Sequence, residues 1–377
     1  MVFHWQGRGK QMKILHLIAA GNNGGIQTLL KDYAKYSHED NVFSFMWYSG
    51  ITEEQMRQQG AETICFEAKK SGTFRAAIKL LNYVNEKKPD AVVVHSSPML
   101  RLLGIIIKIF HKEIQLYLYC HAAIKDQLEQ YGTVKRTVYD FINRICIGKS
   151  EKVIAISNYV KGTMQRTYNT PDEKIAVVYN SVDTERFDKS IHTAEKKAKI
   201  VFIGRLVKVK GIQFAIEALS KIPENLQWEF NIVGDGAYRD ALEKLVKEKK
   251  LEDKITFWGS RNDVPDILSQ MDIFLHPCTW EEGFGIGIVE AMASGKLCIC
   301  SNSGAIPEII TNGTDGYLVE KCNADALADM LVKVMKQRDV WQEIQENAKR
   351  TAQKYSAVKF AHELDDLLEQ SSGGRKK

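Results

Sequence analysis

Short apolar runs alternate with stretches of helical periodicity along most of the chain. Lys13–Ala20 is apolar and ends in the turn GNNGG, after which Ile26, Leu29, Leu30 and Tyr33 recur at helical spacing. The alternation continues in VFSFMWY before a polar helix, in TICFEA before a helix from about Thr73 to Glu86, and in AVVVHS before one reaching Phe110. LYLYCH and KVIAIS follow, with a helix between them from about Gly132 to Gly148. Strand, turn and helix in this order predict a parallel sheet covered on both faces.

After VVYNSVDTERF and a lysine-rich stretch, HTAEKKAK, a second series begins: IVFIG, WEFNIVG, ITFWG, IFLHPC, LCICS and GYLVE, each followed by a glycine-rich turn or a helical pattern. The boundary is expected near Asp188. Residues 1–11 then form an N-terminal extension, 12–188 and 189–355 two Rossmann-like domains, and 356–377 a C-terminal helix, amphipathic near Lys359–Leu368, with a frayed SSGGRKK tail. The expected fold class is α/β, with two doubly wound parallel sheets facing each other. Ligands of such sheets bind beyond the carboxyl ends of the strands, which places the expected site in the cleft between the domains.

At 377 residues the chain is too long for one compact core, and 44% hydrophobic content suits a globular protein. A net charge of +5 permits attraction to anionic ligands or lipid surfaces without demanding nucleic acid, for which no motif is present. The seven cysteines read as buried free thiols of a reducing cytosol. Cys298 and Cys300 share a strand face, but no CxxC pair or histidine cluster completes a metal site. MVFHWQGRGKQ lacks the apolar core of a signal peptide, and Met12 reads as the more natural start of the fold. The longest apolar segment, Leu102–Phe110, is too short to cross a bilayer.

Candidate chemistry concentrates between His276 and Pro307. Glu282 and Glu290 are separated by seven residues that include Gly283, Gly285 and Gly287, and a helix is expected from about Gly285 to Ser294. Its N-terminal N–H groups would attract phosphate, while a carboxylate in the turn and another on the helix could hold hydroxyls of two rings of one ligand. An acidic loop followed by a surface glutamate explains the same residues. Earlier, GRLVKVKG joins a strand to a helix and puts Arg205 and Lys210 at the strand's carboxyl end, a fork and a mobile point charge suited to a diphosphate. A solvated basic loop that also holds Lys208 is the plain alternative.

In the first half, the glycines of GNNGG do not fit a dinucleotide fingerprint. Gly24 and Gly25 at a helix start allow close approach of an anionic ligand or acceptor, or simply form a turn. His121 ends the strand LYLYC at the edge where ligands bind, and His95 ends AVVV as a weaker candidate of the same kind. Asp235, between two glycines, reads as a turn former.

Together these pieces resemble the retaining GT-B glycosyltransferases of family 4, which use nucleotide-activated sugars. The resemblance spans nearly the whole chain and rests on GGIQTLL, VVYNSVDTERF, GRLVKVKG, IVGDG, EEGFGIGIVEAMASG and SGAIPEII followed by GYLV, in that order and spacing. It implies that Arg205 and Lys210 bind the donor diphosphate, that Glu290 accepts the ribose hydroxyls, and that Glu282 holds the transferred sugar. Backbone from Gly283 and Phe284 to Gly285 and Ile286 would face the sugar and phosphate, and Trp258 and Gly259 would line the base. His121 would sit near the reacting sugar, with Gly24 and Gly25 near the donor phosphate or the acceptor. Catalytic roles then fall to Glu282, His121, Arg205 and Lys210.

Three departures stand out. Glu281 lies beside Glu282 after a bulky Trp280, with spacing favouring Glu282; Ser303 replaces a glycine; and Ala122 follows His121 where a polar residue is more usual. The implied reaction moves a hexosyl unit, with retention, from a uridine or guanosine diphosphate sugar to a hydroxyl of a glycan or lipid-linked acceptor in cell-surface polysaccharide assembly. Neither metal nor cofactor is expected beyond the sugar nucleotide itself. The first domain would bind the acceptor and the second the donor. A sugar-nucleotide epimerase and a noncatalytic subunit of the same fold are the rival readings. A cytoplasmic protein is expected, peripheral at the inner membrane face if the basic and apolar residues from Arg101 to Lys112, with Lys135, Arg136, Arg144 and Lys149, dock on anionic lipid. A sheet-covering helix with solvated lysines explains those residues as well.

Overall fold

The computed structural model describes residues 11–22, 24–67, 73–95, 97–123, 131–189 and 197–373. Residues 1–10 of the expected extension, Asn23 of the glycine turn, much of the lysine-rich stretch and residues 374–377 of the tail lie outside them. Two compact units divide the chain: Ser181–Ser356, and Met1–Asn180 together with Ala357–Lys377.

The first unit holds a seven-stranded sheet in the order β3-β2-β1-β4-β5-β6-β7. Its strands are β1 (Lys13–Ile18), β2 (Asp40–Phe45), β3 (Glu62–Cys65), β4 (Ala91–His95), β5 (Gln115–Cys120), β6 (Lys152–Ala155) and β7 (Ile175–Val177). Every pairing is parallel. Central strands of such a sheet are covered on both faces, which is why β4 and β5 are buried at every position instead of alternating. The second unit repeats the plan with six parallel strands in the order β10-β9-β8-β11-β12-β13. These are β8 (Ala198–Ile203), β9 (Trp228–Val233), β10 (Ile255–Gly259), β11 (Ile273–His276), β12 (Leu297–Ser301) and β13 (Tyr317–Val319).

In both sheets the first strand of the unit lies between its second and fourth. The crossovers on either side therefore depart to opposite faces, leaving a crevice beyond the carboxyl ends of β1 and β4 and another beyond β8 and β11. The helices form where apolar positions recur and good caps exist. Ser157 accepts from the Val160 N–H at 3.1 Å to start Asn158–Tyr168, and Asn323 accepts from Ala326 N at 2.9 Å to start Ala324–Lys336.

Two boundaries differ from the sequence reading. The units part between Asn180 and Ser181, ahead of Asp188, because Thr184–Phe187 is a short helix packed on Ile286–Ala293 and Val182 bridges to Ser356. The last helix, Ala357–Gly373, is no separate appendage. It packs on Gly25–Tyr36 in the first unit, where Asp365 accepts from the Tyr33 hydroxyl at 2.6 Å, the Ser37 hydroxyl at 2.9 Å and His38 N at 3.0 Å. Ser371–Gly373 of the tail expected to fray belong to that helix.

Candidate functional site

Three loops beyond the carboxyl ends of β8, β11 and β12 are fastened to one another through glycines. Gly211 has φ +73°, and a Cβ there would stand 1.8 Å from the Pro277 carbonyl oxygen. The β8 and β11 loops can therefore touch backbone to backbone only with glycine at that position, and Thr279 N donates to Val209 O at 2.9 Å across the contact. Gly304, at φ +56°, does the same for the β12 loop: its Cβ would lie 2.2 Å from Glu282 O. Ala305 N donates to that oxygen at 2.8 Å. The β11 loop that carries Glu282 is thus held from two sides.

The side chain of Glu282 gathers the polar groups of the crevice. Lys210 Nζ lies 2.7 Å from its Oε2, and His276 Nε2, at the end of β11, approaches the same oxygen at 3.3 Å. Burial raises the Glu282 carboxyl, but the His276 hydrogen bond and the Lys210 charge outweigh it and hold the group well below the usual carboxylate range. Burial in turn lowers His276 against the opposing pull of Glu282, leaving a neutral imidazole that donates from Nε2. Glu281 is engaged elsewhere. It pairs with Lys321 and accepts from Gly304 N at 2.6 Å, and the Lys321 bond, first among its partners, lowers its carboxyl. The two adjacent glutamates thus face different partners, with Glu282, the one spacing favours, on Lys210 and His276. Ser303 donates its hydroxyl to Trp280 O at 2.6 Å and ties the same loops.

Ligand atoms of His276, Cys278 and Glu282 lie within 4.8 Å of one another, a donor set of the kind that holds a transition metal. An ammonium already stands on the shared Glu282 oxygen, and burial pushes the Cys278 thiol up to about 11.

The remaining residues singled out in the second unit surround this cluster in sequence. Arg205 is exposed in the β8 loop, where its carbonyl oxygen accepts from Val207 N at 3.0 Å and its side chain makes no hydrogen bond or ion pair among the described residues. Helix Ile286–Ala293 starts after Gly285, whose φ of +106° turns the chain into it, and carries the half-buried Glu290. Phe284 points inward, its ring 5.4 Å from that of Tyr355. Trp258 Nε1 donates to Asn231 Oδ1 at 3.0 Å, and Gly259, at φ +67°, closes β10. Asp235 is the turn former expected, its Oδ1 accepting from Gly236 N at 2.8 Å.

In the first unit, Gly24 caps helix Gly25–Tyr36 with φ −174°, extended backbone open to any residue. The glycine that the turn requires is Gly21, where a Cβ would lie 2.8 Å from Gly50 N. His121 follows β5, and its Nε2 lies 2.9 Å from Nδ1 of His95, the last residue of β4. Arg101, one end of the segment weighed for membrane docking, is buried and donates to Asn143 Oδ1 at 2.5 Å, as the sheet-covering alternative has it.

Sequence reasoning passed over His276 and Gly304. A histidine at a strand's carboxyl end is the signal that picks out His121, and it applies equally to His276. Gly304 carries no sign in the sequence beyond being a glycine.

The family comparisons agree with this architecture. The model "Glycosyl transferases group 1" matches residues 183–354, and "Glycosyltransferase Family 4" matches residues 23–186. N-acetyl-alpha-D-glucosaminyl L-malate synthase of Bacillus anthracis is 26% identical over 66% of this chain, a stretch covering 65% of that protein, just under two thirds of its length. UDP-Gal:alpha-D-GlcNAc-diphosphoundecaprenol alpha-1,3-galactosyltransferase of Escherichia coli is 27% identical over 75% of this chain and 76% of its own. Among solved structures, Anabaena HepE in complex with UDP-glucose superposes with a TM-score of 0.82 at 22% identity, over 96% of this chain and 100% of that one. With the two models following one another from residue 23 to residue 354 on a pair of doubly wound sheets, the chain belongs to the group 1, family 4 glycosyltransferases of the GT-B fold.

Proposed function

We propose that this protein transfers a hexosyl unit, with retention at the anomeric carbon and without a metal ion, from a nucleoside diphosphate sugar to a hydroxyl of a glycan or lipid-linked acceptor in cell-surface polysaccharide assembly. The carrying observation is the Lys210–Glu282 ion pair at the β8/β11 crevice, with Arg205 exposed on the same loop. As the bond to the sugar breaks, the diphosphate gains charge. Arg205, Lys210 and the N–H groups from Gly283 to Ile286 stabilise that charge more than the ground state. Lys210 exchanges its carboxylate partner for phosphate, and Glu282, ionised at neutral pH, accepts hydroxyls of the transferred sugar. Glu290 receives the ribose, and Trp258 with Gly259 the base. The sugar passes through an oxocarbenium-like state, with an oxygen of the leaving phosphate deprotonating the acceptor on the same face. Family resemblance assigns His121 to the reacting sugar, and Gly24 with Gly25 to phosphate or acceptor. Metal independence is supported by the ammonium on the carboxylate oxygen that a cation would need. The galactosyltransferase relative and the neighbour bound to UDP-glucose favour a uridine donor.

A thermal-shift screen over UDP- and GDP-sugars, followed by transfer assays with and without EDTA and determination of the product anomer, tests the reading. Stabilisation by a sugar nucleotide and a retained, EDTA-insensitive product are expected. Interconversion of the donor with no acceptor present would instead identify an epimerase, and binding without turnover a noncatalytic subunit. An inverted product or loss to EDTA would remove that part of the mechanism.

Peripheral membrane contact and a cytoplasmic location form the second half of the proposal. No helix among the described residues is long and apolar enough to cross a membrane. Helices Pro98–Phe110 and Thr133–Lys149 pack together and bury Leu100, Leu103, Ile105 and Ile107, yet leave Phe110 74%, Val134 79% and Phe141 63% exposed. Lys112, Lys135 and Arg136 are exposed near these positions in the sequence. Apolar side chains with lysine and arginine suit an anionic lipid surface. Sedimentation with phosphatidylglycerol vesicles at low salt, lost in Val134→Ser and Phe141→Ser, supports this. Equal sedimentation of the variants counts against it.

A further inference from the structure

Two buried imidazoles and a half-buried third run edge to edge across the first sheet. Asn41 on β2, His16 on β1, His95 on β4 and His121 after β5 follow the strand order, and each is hydrogen-bonded to the next. The direction of every bond follows from one end. Asn41 Nδ2 faces the Glu39 carbonyl oxygen at 3.2 Å, which can only accept, and Ser37 Oγ at 2.7 Å, whose own proton goes to Asp365. Asn41 Oδ1 is therefore an acceptor, and His16 Nε2, at 2.9 Å, donates to it. A neutral imidazole has one donor and one acceptor nitrogen, so His16 Nδ1 must accept from His95 Nε2 at 3.1 Å. By the same rule, His95 Nδ1 accepts from His121 Nε2 at 2.9 Å. What remains is His121 Nδ1, a bare lone pair that is buried and meets no hydrogen-bond donor among the described residues.

We propose that His16 and His95 are positioning residues that lock His121 in the Nε2–H tautomer, so that Nδ1 serves as a hydrogen-bond acceptor for a hydroxyl of the substrate. The lock rests on the chain of bonds alone, and the contact with substrate rests on the transferase reading above. Stacking fixes the ring planes: His16 lies 4.8 Å from Phe43, His95 5.2 Å from Tyr119, and Tyr119 4.4 Å from His121. Adding a proton to any inner ring would set N–H against N–H, and burial lowers the basicity of all three. The row is not a proton wire, because it ends on an amide that cannot take up and pass on a proton. A one-way donor chain closed by an amide can only orient. An unmet acceptor at its free end carries a desolvation cost that a sugar hydroxyl would remove.

Long-range proton–nitrogen correlation on the full chain labelled with [15N]histidine tests the lock without any substrate, with assignments from single histidine variants. At neutral pH, His16, His95 and His121 should each show a protonated Nε2 and a bare Nδ1. A protonated His121 Nδ1 overturns the lock whatever the protein catalyses. In the transfer assay, His95→Leu and Asn41→Leu should mix the His121 tautomers and lower kcat/KM about tenfold. His95→Gln, which keeps a donor and an acceptor in the same order, should recover most of it. Wild-type rates in His95→Leu, or no recovery in His95→Gln, overturn the positioning role. A wild-type protein with the expected tautomers and no transferase activity on any donor would refute the functional reading and leave the lock standing.

Discussion

Lys210 Nζ and Glu282 Oε2 stand 2.7 Å apart in loops that follow two different strands, with about a fifth of each side chain exposed. Removing the ammonium leaves a largely buried carboxylate with His276 as its principal partner. Lys210→Ala should therefore destabilise the fold by about 1–3 kcal/mol, between the values for exposed and buried pairs, and raise the Glu282 carboxyl. Urea denaturation at pH 7 measures the first effect. The double variant Lys210→Ala/Glu282→Gln should recover part of the loss, since no unpaired charge then remains.

Gly211→Ala and Gly304→Ala should each cost about 2–4 kcal/mol, because left-handed backbone and an oxygen nearer than 2.5 Å oppose the new methyl at both positions. Gly24→Ala should change stability by less than about 0.5 kcal/mol, since its backbone is extended and its nearest neighbour, Gln27 Oε1 at 2.6 Å, ends a flexible side chain. Thermal unfolding of the three variants side by side checks the ranking. Equal losses would mean that the loop contacts do not set it.

Asp365 should be worth more to the first unit than its place after the second suggests. Asp365→Ala deprives the buried Tyr33 hydroxyl, together with Ser37 and His38 N, of its acceptor, and about 2–4 kcal/mol of stability should go with it. Hydrogen exchange should show the loss concentrated in helix Gly25–Tyr36 and β1. A uniform or undetectable change would separate the last helix from that unit's stability.

Acid should weaken the fold through its buried histidines. Burial lowers His16 to about 4 and His121 to about 3, so between those values and about 6.5 the unfolded chain binds protons that the native state refuses. Their contribution is therefore complete above about pH 6.5 and declines as pH falls, by about 1.4 kcal/mol per pH unit for each histidine. Glu39, raised to about 7 by burial first and its Glu369 hydrogen bond next, opposes this trend in the same range, and a difference between proteins isolates the histidine effect. The stability deficit of His121→Phe relative to wild type, measured by urea titration at pH 8, 6 and 5, should shrink as the pH drops. A constant deficit would show that His121 titrates normally in the native state.

Much of the fold could be read from local pattern. Buried parallel strands are continuous apolar runs, and the turns after them carry glycine, so both series of alternations were visible. The short edge strand β7, three residues with two half-buried, went unread although it opens the apolar run IAVVY. The unit boundary and the return of Ala357–Gly373 to the first sheet were equally hidden, because both depend on which distant helix a segment packs against.

The site divides in the same way. Residue types and spacing by themselves determined that Arg205, Lys210, Glu282 and Glu290 lie on loops and a helix beyond strand ends, since strand, turn and helix follow from nearest neighbours in the chain. Only the tertiary structure decided that Lys210 and His276 meet on Glu282 while Glu281 turns to Lys321, and that a row of histidines from three strands ends on the bare nitrogen of His121. The physical reason is that the direction of a hydrogen bond and the charge of a carboxylate are set by partners in space. Sheet order, with the first strand between the second and the fourth, places those partners far from where the sequence lists them.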